Sequence, residues 1–357
     1  MEREFYVSID GTKVMVVAPI VELEHIIDNM DRFKYRYDHL LVIGNGFDLN
    51  LGLPTSYRNF VESCIFKKMY VKRMQEKQAQ GNAQPSLINY LYGKKFCDRW
   101  YDIEQALLEY VSRKPDGSFV NNVEEDKTDY NLICDTLVEY LVNLFKTGND
   151  LQQARTMENS SAGQLLQKIR SERSIVYSFN YTPINLIIDA IYGHASLNPV
   201  RVHGEIKEET LFKGNIKDNA IILGIETNDM NTIAPDYSFM LKSNNPAYKS
   251  SNLAVDLLNS KNVIIFGHSM NQMDYGYFEG YFKMLCSNVD KERTLTIITK
   301  DKSSRVTIQD NLRKMGVSVM NIYAHTQVDY ILIDKLNDKN SEDYKKFEEL
   351  LTQIDEI

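Results

Sequence analysis

Cysteine is scarce and scattered in this chain of 357 residues: Cys64, Cys97, Cys134 and Cys286 lie far apart, with no C-x-x-C pair. That excludes a disulfide scaffold and a zinc ribbon, and the four read as buried thiols of a reducing cytosol. Long apolar runs are missing too. No segment approaches the ~18 uninterrupted apolar residues of a membrane span, and the opening MEREFYVSID carries charges where a signal peptide needs an apolar core. A cytoplasmic protein without membrane contact is expected. Positive charge is not in excess either: 41 Lys+Arg against 49 Asp+Glu leave a net charge of −8, which disfavours general nucleic-acid binding. No internal repeat or low-complexity tract is present. What remains is an ordinary globular composition, 43% hydrophobic and 25% charged, in a chain long enough for one large or two modest domains.

Residues 5 to 18 are two β-rich runs joined by Asp10-Gly11, the dipeptide of a tight hairpin turn. Pro19 then opens an amphipathic stretch with Ile20, Leu23, Ile26, Ile27 and Met30 at helical spacing, so residues 1–38 read as a hairpin and helix module. From there short β-branched runs alternate with helical patterns, at 39–43, 174–179, 200–202, 221–223, 263–266, 295–298 and 317–319. Several are apolar on consecutive positions, as strands buried on both faces of a parallel sheet are. The expected fold is α/β: a doubly wound, mostly parallel, Rossmann-like sheet over 39–335 with a helical tail at 336–357. A large helical insertion at 55–173 is interrupted by loop-like breaks at 81–86 and 114–122.

In open α/β sheets ligands bind outside the carboxyl ends of the strands, which directs attention to the loops there. In Gly44-Asn45-Gly46-Phe47-Asp48 two glycines let the backbone turn sharply and approach a ligand, ahead of a helix expected near Thr55-Ser56 whose N–H groups favour phosphate. The third glycine of the dinucleotide fingerprint is missing, and a simple tight turn is the alternative. In Phe179-Asn180-Tyr181-Thr182-Pro183, Thr182 is the expected N-cap and Pro183 the first helical residue, which puts Asn180 at a strand end. Its amide either serves a ribose or a water, or only ties the loop together. His203, beside Gly204, has the pKa range of a general base, against the alternative of a satisfied polar side chain.

The loop 266–271 precedes an apolar stripe of Tyr277, Phe278, Tyr281 and Leu285, into which Asp274 falls; it meets a ligand or favours the helix dipole. On the helical wheel of 100–111, Glu104 lies among Trp100, Ile103, Leu107, Leu108 and Val111, while Asp102 and Glu109 face away. Glu104 is therefore expected to be buried, either as an active-site acid or as an anchor of the insertion to the sheet. Lys67, Lys68, Lys72, Arg73 and Lys77 form a basic stretch on one helix, read as a solvated face rather than an RNA contact.

Taken in order, IGNGFDLNLGLPTSY (43–57), WYDIE (100–104), SFNYT (178–182), VHG (202–204) and FGHSMNQMDYGYF (266–278) closely resemble the AbiH family of bacterial phage abortive-infection proteins, over about residues 39–330. That family in turn resembles, more distantly, the SIR2-like NAD-binding folds. The resemblance implies an abortive-infection effector that binds NAD or a related nucleotide and cleaves its N-glycosidic bond. It implies Asn180 and His203 as catalytic residues and Glu104 as a further acid. Gly44, Asn45, Gly46, Phe47, Asp48, Thr182, Gly267, His268, Ser269 and Asp274 would surround the ligand. NAD is implied as substrate or ligand rather than as a tightly bound cofactor; no metal is expected, and a phage-derived trigger and a homo-oligomer are.

Three departures stand out. The first loop reads Gly-Asn-Gly-Phe-Asp where SIR2-like chains usually carry a small-residue Gly-Ala-Gly-x-Ser, so that Phe47 is expected to narrow or reshape the pocket; Thr182 stands where many relatives have Asp; and the zinc module of the deacetylases is missing. A non-catalytic sensor of a nucleotide or phage component on the same fold is the alternative, and an RNA-targeting toxin a more distant one.

Overall fold

The apolar runs become the strands of a parallel sheet in the computed structural model, which describes residues 2–9, 12–19, 34–81, 86–94, 102–112, 122–147, 156–169, 173–192, 199–204, 206, 221–226, 233–248 and 251–355. Strands β1 (Glu2–Ile9) and β2 (Thr12–Pro19) pair antiparallel with Ile9 opposite Thr12, the register that the expected hairpin requires; the turn residues themselves lie outside the described residues. The helix expected after Pro19 lies outside the described residues, as do Cys97 and Trp100.

Six further strands form one sheet: β3 (Tyr37–Ile43), β4 (Ser174–Ser178), β5 (Val200–Arg201), β6 (Ser260–Phe266), β7 (Thr294–Thr299) and β8 (Gln327–Leu332). Their order is β5-β4-β3-β6-β7-β8, and every neighbouring pair is parallel. The chain therefore steps outward from β3 to β5, crosses back, and steps outward again from β6 to β8. That is the doubly wound Rossmann-like order, with its topological switch point between β3 and β6.

Two expected strands are something else. Residues 221–223 are buried but join no ladder: Ile222 N–H donates to the His203 carbonyl at 2.9 Å, and Ile225 makes only an isolated bridge with Leu241. At 317–319 the Ser318 hydroxyl accepts from Asn321 N–H and caps a helix, Val319–His325. The sixth strand is the following β8, concealed in the sequence by polar Gln327 and Asp329 within its apolar pattern.

Alternation along the strands supplies two cores, one on each face of the sheet. Leu40, Val42, Val263 and Ile265 face helix Tyr275–Ser287 through Phe278, Tyr281 and Phe282. Leu41, Ile43, Ile264 and Phe266 face helices Ser161–Lys168, Ile184–Tyr192 and Glu342–Asp355. The last of these drives Phe347, Leu350, Leu351 and Ile354 into that core. The helical insertion has a third core of its own, around Phe60, Phe66, Ile103, Leu107, Ile133 and Leu137. Residues 221–226 and 233–242 pack into it through Ile225, Ile233, Tyr237 and Met240.

Buried polar groups lock the insertion. Asp126 accepts from Tyr110 OH, Tyr237 OH and Leu87 N–H, and Asp129 accepts from Arg73, Lys77 and Ile88 N–H. Arg73 and Lys77 of the basic stretch are therefore held inside the helical layer rather than offered to a polyanion. The cysteines differ from expectation: Cys64 is exposed in the first turn of its helix, and Cys134 and Cys286 are half-buried. Among the described residues no helix is long and apolar enough to cross a membrane.

Phe347 is 2% exposed, so Phe347→Ala should lower unfolding free energy by about 3–5 kcal/mol in urea denaturation. Glu349→Ala, on the solvent face of the same helix, should change it by less than about 0.5 kcal/mol.

Candidate functional site

The two loops at the switch point touch backbone to backbone. Gly44 N–H donates to Phe266 O at 3.0 Å, and Gly46 N–H donates to Gly267 O at 2.9 Å. A Cβ built on Gly44 would lie 2.7 Å from the His268 Cα, and one on Gly46 would lie 2.7 Å from the Gly267 Cα. Gly267, at φ +66°, would meet the Phe47 nitrogen at 2.3 Å. The glycines thus serve the approach of loop to loop, and the Gly44 and Gly46 N–H groups are committed to that contact rather than to a phosphate. The helix also begins earlier than expected: Asn45–Asn50 follows Gly44 directly, and the next helix, Tyr57–Glu62, is capped by Ser56.

That early turn sends Phe47 and Asp48 to different places. Phe47 is buried in the core edge-on to Phe266, with ring centroids 5.1 Å apart, so it does not narrow the cavity. Asp48 is 1% exposed and lines the cavity. Its Oδ1 accepts from Asn180 Nδ2 at 2.7 Å, and the other hydrogen of that amide goes to Gly44 O at 2.9 Å. Both donors of Asn180 are so committed, and the acceptor Oδ1 is what its side chain has left to offer. Burial pushes the Asp48 carboxyl up to about 7, partly offset by Thr182, Asn180 and Thr55. Its Oδ2 is buried without a hydrogen-bond partner. Thr182 lies beside it, one residue ahead of Pro183 and two ahead of the helix Ile184–Tyr192, rather than capping that helix.

Opposite stands a charged cluster. Glu104, expected buried on its helical face, is 5% exposed. Its Oε2 receives Lys242 Nζ at 2.8 Å, while Oε1 is buried and unpartnered. Lys242 Nζ also lies 3.5 Å from Asp274 Oδ1 and 3.3 Å from His203 Nε2, which is itself 3.4 Å from Asp274 Oδ1. His268 Nδ1 accepts from Met270 N–H at 3.0 Å, which leaves its proton on Nε2, 3.3 Å from Asp274 Oδ2. That bond helps hold Met270 at φ 50°, a strained conformation for a bulky side chain.

The electrostatics follow from burial and from Lys242. Burial and the nearby ammonium lower the His203 pKa to about 4, so its imidazole is neutral at pH 7. Asp274 is held well below the ordinary carboxylate range because Lys242 and the two histidines outweigh its burial. Burial raises Glu104, and Asp102 and Asp274 reinforce the rise against Lys242.

Asp48, Glu104, Asn180, Thr182, His203, His268 and Asp274 line one cavity of about 300 Å³ at the carboxyl end of the sheet, with Asn45, Ser269 and the aromatic Tyr57, Phe179 and Tyr181 in its wall. Asp102 is there too, contrary to the helical wheel. It precedes the helix as its N-cap, accepting from Glu104 and Gln105 N–H, and receives Asn271 Nδ2 at 2.6 Å. An Asp followed by Ile-Glu is a capping signal that would have placed it. Lys242 sits in a short 3-10 turn, Lys242–Asn244, within a stretch that carries no motif.

Fold and site together define a Rossmann-like α/β protein with an acidic cavity at its switch point. The family model for bacteriophage abortive infection AbiH matches residues 40–299, and the chain belongs to that family. Its role is accordingly in phage abortive infection, and the matched region contains every cavity residue named above. No curated protein and no solved structure matches the chain.

Two outcomes follow. Gly46→Ala forces a Cβ into backbone and should cost about 1–3 kcal/mol by chemical denaturation. Asp48 keeps in the folded chain a proton that the unfolded chain loses near the ordinary carboxylate pKa, so its contribution to stability declines as pH rises towards 7. Asp48→Asn should therefore match the parent near pH 4 and exceed it at pH 8, by up to about 4 kcal/mol, in urea melts at the two pH values.

Proposed function

We propose that this AbiH protein binds NAD or a related nucleotide and hydrolyses its N-glycosidic bond, as an abortive-infection effector released by a phage-derived trigger and acting as a homo-oligomer. The observation that carries the reading is the convergence of Asn180, His203, Glu104 and Asp274 from separate chain segments on one cavity at the switch point. In this reaction water attacks C1′ of the ribose while the C1′–N bond breaks and its electron pair passes to the ring nitrogen. The nicotinamide then leaves neutral and needs no proton. The sugar becomes oxocarbenium-like in between, a charge that fixed carboxylates stabilise in a water-poor site.

Asn180, with both amide hydrogens committed, offers Oδ1 to the attacking water or to a ribose hydroxyl. His203 is neutral and able to take the water's proton, although Asp48, near pKa 7, is the better matched base. Lys242 keeps Asp274 charged beside the histidines. A sensor without chemistry is the second reading, favoured by His203 Nε2 already facing Lys242 and Asp274 and by Thr182 in place of an aspartate.

Incubation with NAD and mass spectrometry of the products tests the reading: nicotinamide and ADP-ribose should form with the parent chain and fall at least about a hundredfold in Asn180→Ala and His203→Ala. Equal product from the parent and both variants would sink it.

A further inference from the structure

The cavity's unused hydrogen-bonding capacity lies in two carboxyl oxygens and in the Thr182 hydroxyl beside one of them. Asp48 Oδ2 and Glu104 Oε1 are buried, unpartnered oxygens of carboxyl groups that are 1% and 5% exposed and line the cavity. A buried carboxylate oxygen without a donor is costly, and a ligand hydroxyl removes that cost. Asp102 and Asp274 bring the carboxylates in the lining to four. Lys242, the ammonium beside them, is committed to Glu104 and Asp274.

Two of the backbone donors by which a Rossmann-like fold grips phosphate are engaged elsewhere. Gly44 and Gly46 N–H groups bond the opposite loop, and the helix that follows them is only six residues long. No Lys or Arg lines the cavity among the described residues. Its volume of about 300 Å³ stands at the lower end for small-molecule sites, and Tyr57, Phe179 and Tyr181 make part of its wall aromatic.

We propose that the cavity takes the ribosyl end of a cationic ribonucleoside, an N-ribosylpyridinium, with Asp48 and Glu104 accepting from the ribose hydroxyls, and that any phosphate stays outside it. The inference rests on the glycohydrolase reading for the choice of a ribosyl ligand. It departs from a dinucleotide site in making the phosphates dispensable: the ring charge and the sugar hydroxyls supply the recognition.

Calorimetric titration of the full chain with nicotinamide riboside, its uncharged dihydro form, and NAD tests this directly. The riboside should bind within about tenfold of NAD, and the dihydro form, alike in shape but without the ring charge, at least about tenfold more weakly. Asp48→Asn and Glu104→Gln should each weaken the riboside by about tenfold or more, in chains whose circular dichroism is unchanged. Should Glu104→Gln fail to fold, Asp48→Asn carries the comparison alone. NAD binding a hundredfold tighter than the riboside would show that phosphates are gripped and overturn the inference, as would equal affinity for the charged and uncharged forms or no binding of the riboside. Nicotinamide release from NAD in the same samples decides the hydrolase reading separately, so the inference can fail while that reading stands.

Discussion

Everything at the carboxyl end of the sheet is built around the contact between the loops that follow β3 and β6. Three glycines without side chains let two backbones meet where even a methyl group would lie 2.7 Å or less from a backbone atom. The Gly46 hydrogen bond to Gly267 and the Gly44 bond to Phe266 then lock the switch point. From that lock follow the early helix start at Asn45, the inward turn of Asp48, and the reach of Asn180 from the next strand to the Gly44 carbonyl. The loop after β6 is held from its other side by the His268 bond to Met270 and places His268 against Asp274.

Around that frame the protein buries more charge than a stable core would keep. Asp48, Glu104, Asp274 and Lys242 are each at most 5% exposed, and desolvation of such groups outweighs their mutual attraction unless hydrogen bonds complete them. Asp274 is completed by a lysine and two histidines, whereas Asp48 and Glu104 each keep one oxygen with no partner. Strained backbone at Met270 and two unmet carboxyl oxygens thus lie close together at this end of the sheet, each at a cost in stability. The buried network of Asp126 and Asp129 in the insertion is the contrast: several donors converge on each carboxylate, and it acts as a fastener.

The insertion and the sheet are joined by residues 221–226 and 233–244. Their apolar side chains enter the insertion's core, Tyr130 OH donates to the Leu223 carbonyl, and their single buried ammonium bridges Glu104 of the insertion to Asp274 of the sheet. Glu104 thereby meets the anchoring alternative that its helical face allowed. It anchors one layer to the other and presents an oxygen to the cavity.

Periodicity and local chemistry determined much of this protein in advance. Consecutive β-branched runs marked the buried parallel strands, Asp10-Gly11 the hairpin, and the apolar face of the helix after Asp102 the burial of Glu104, because each depends on neighbours within a few residues. The loop residues from Gly44 to Asp274 were legible as a set for the same reason: they follow strand ends. Only the tertiary structure decided what each of them does. The glycines answer to a loop some 220 residues away along the sequence, Phe47 turns into the core, and Lys242 reaches the cluster from a stretch without a motif. β8 was hidden because partners across the sheet, not its own polar-interrupted pattern, make it a strand. Contacts between distant segments have no local signature, and the charge balance of the cavity is made of such contacts.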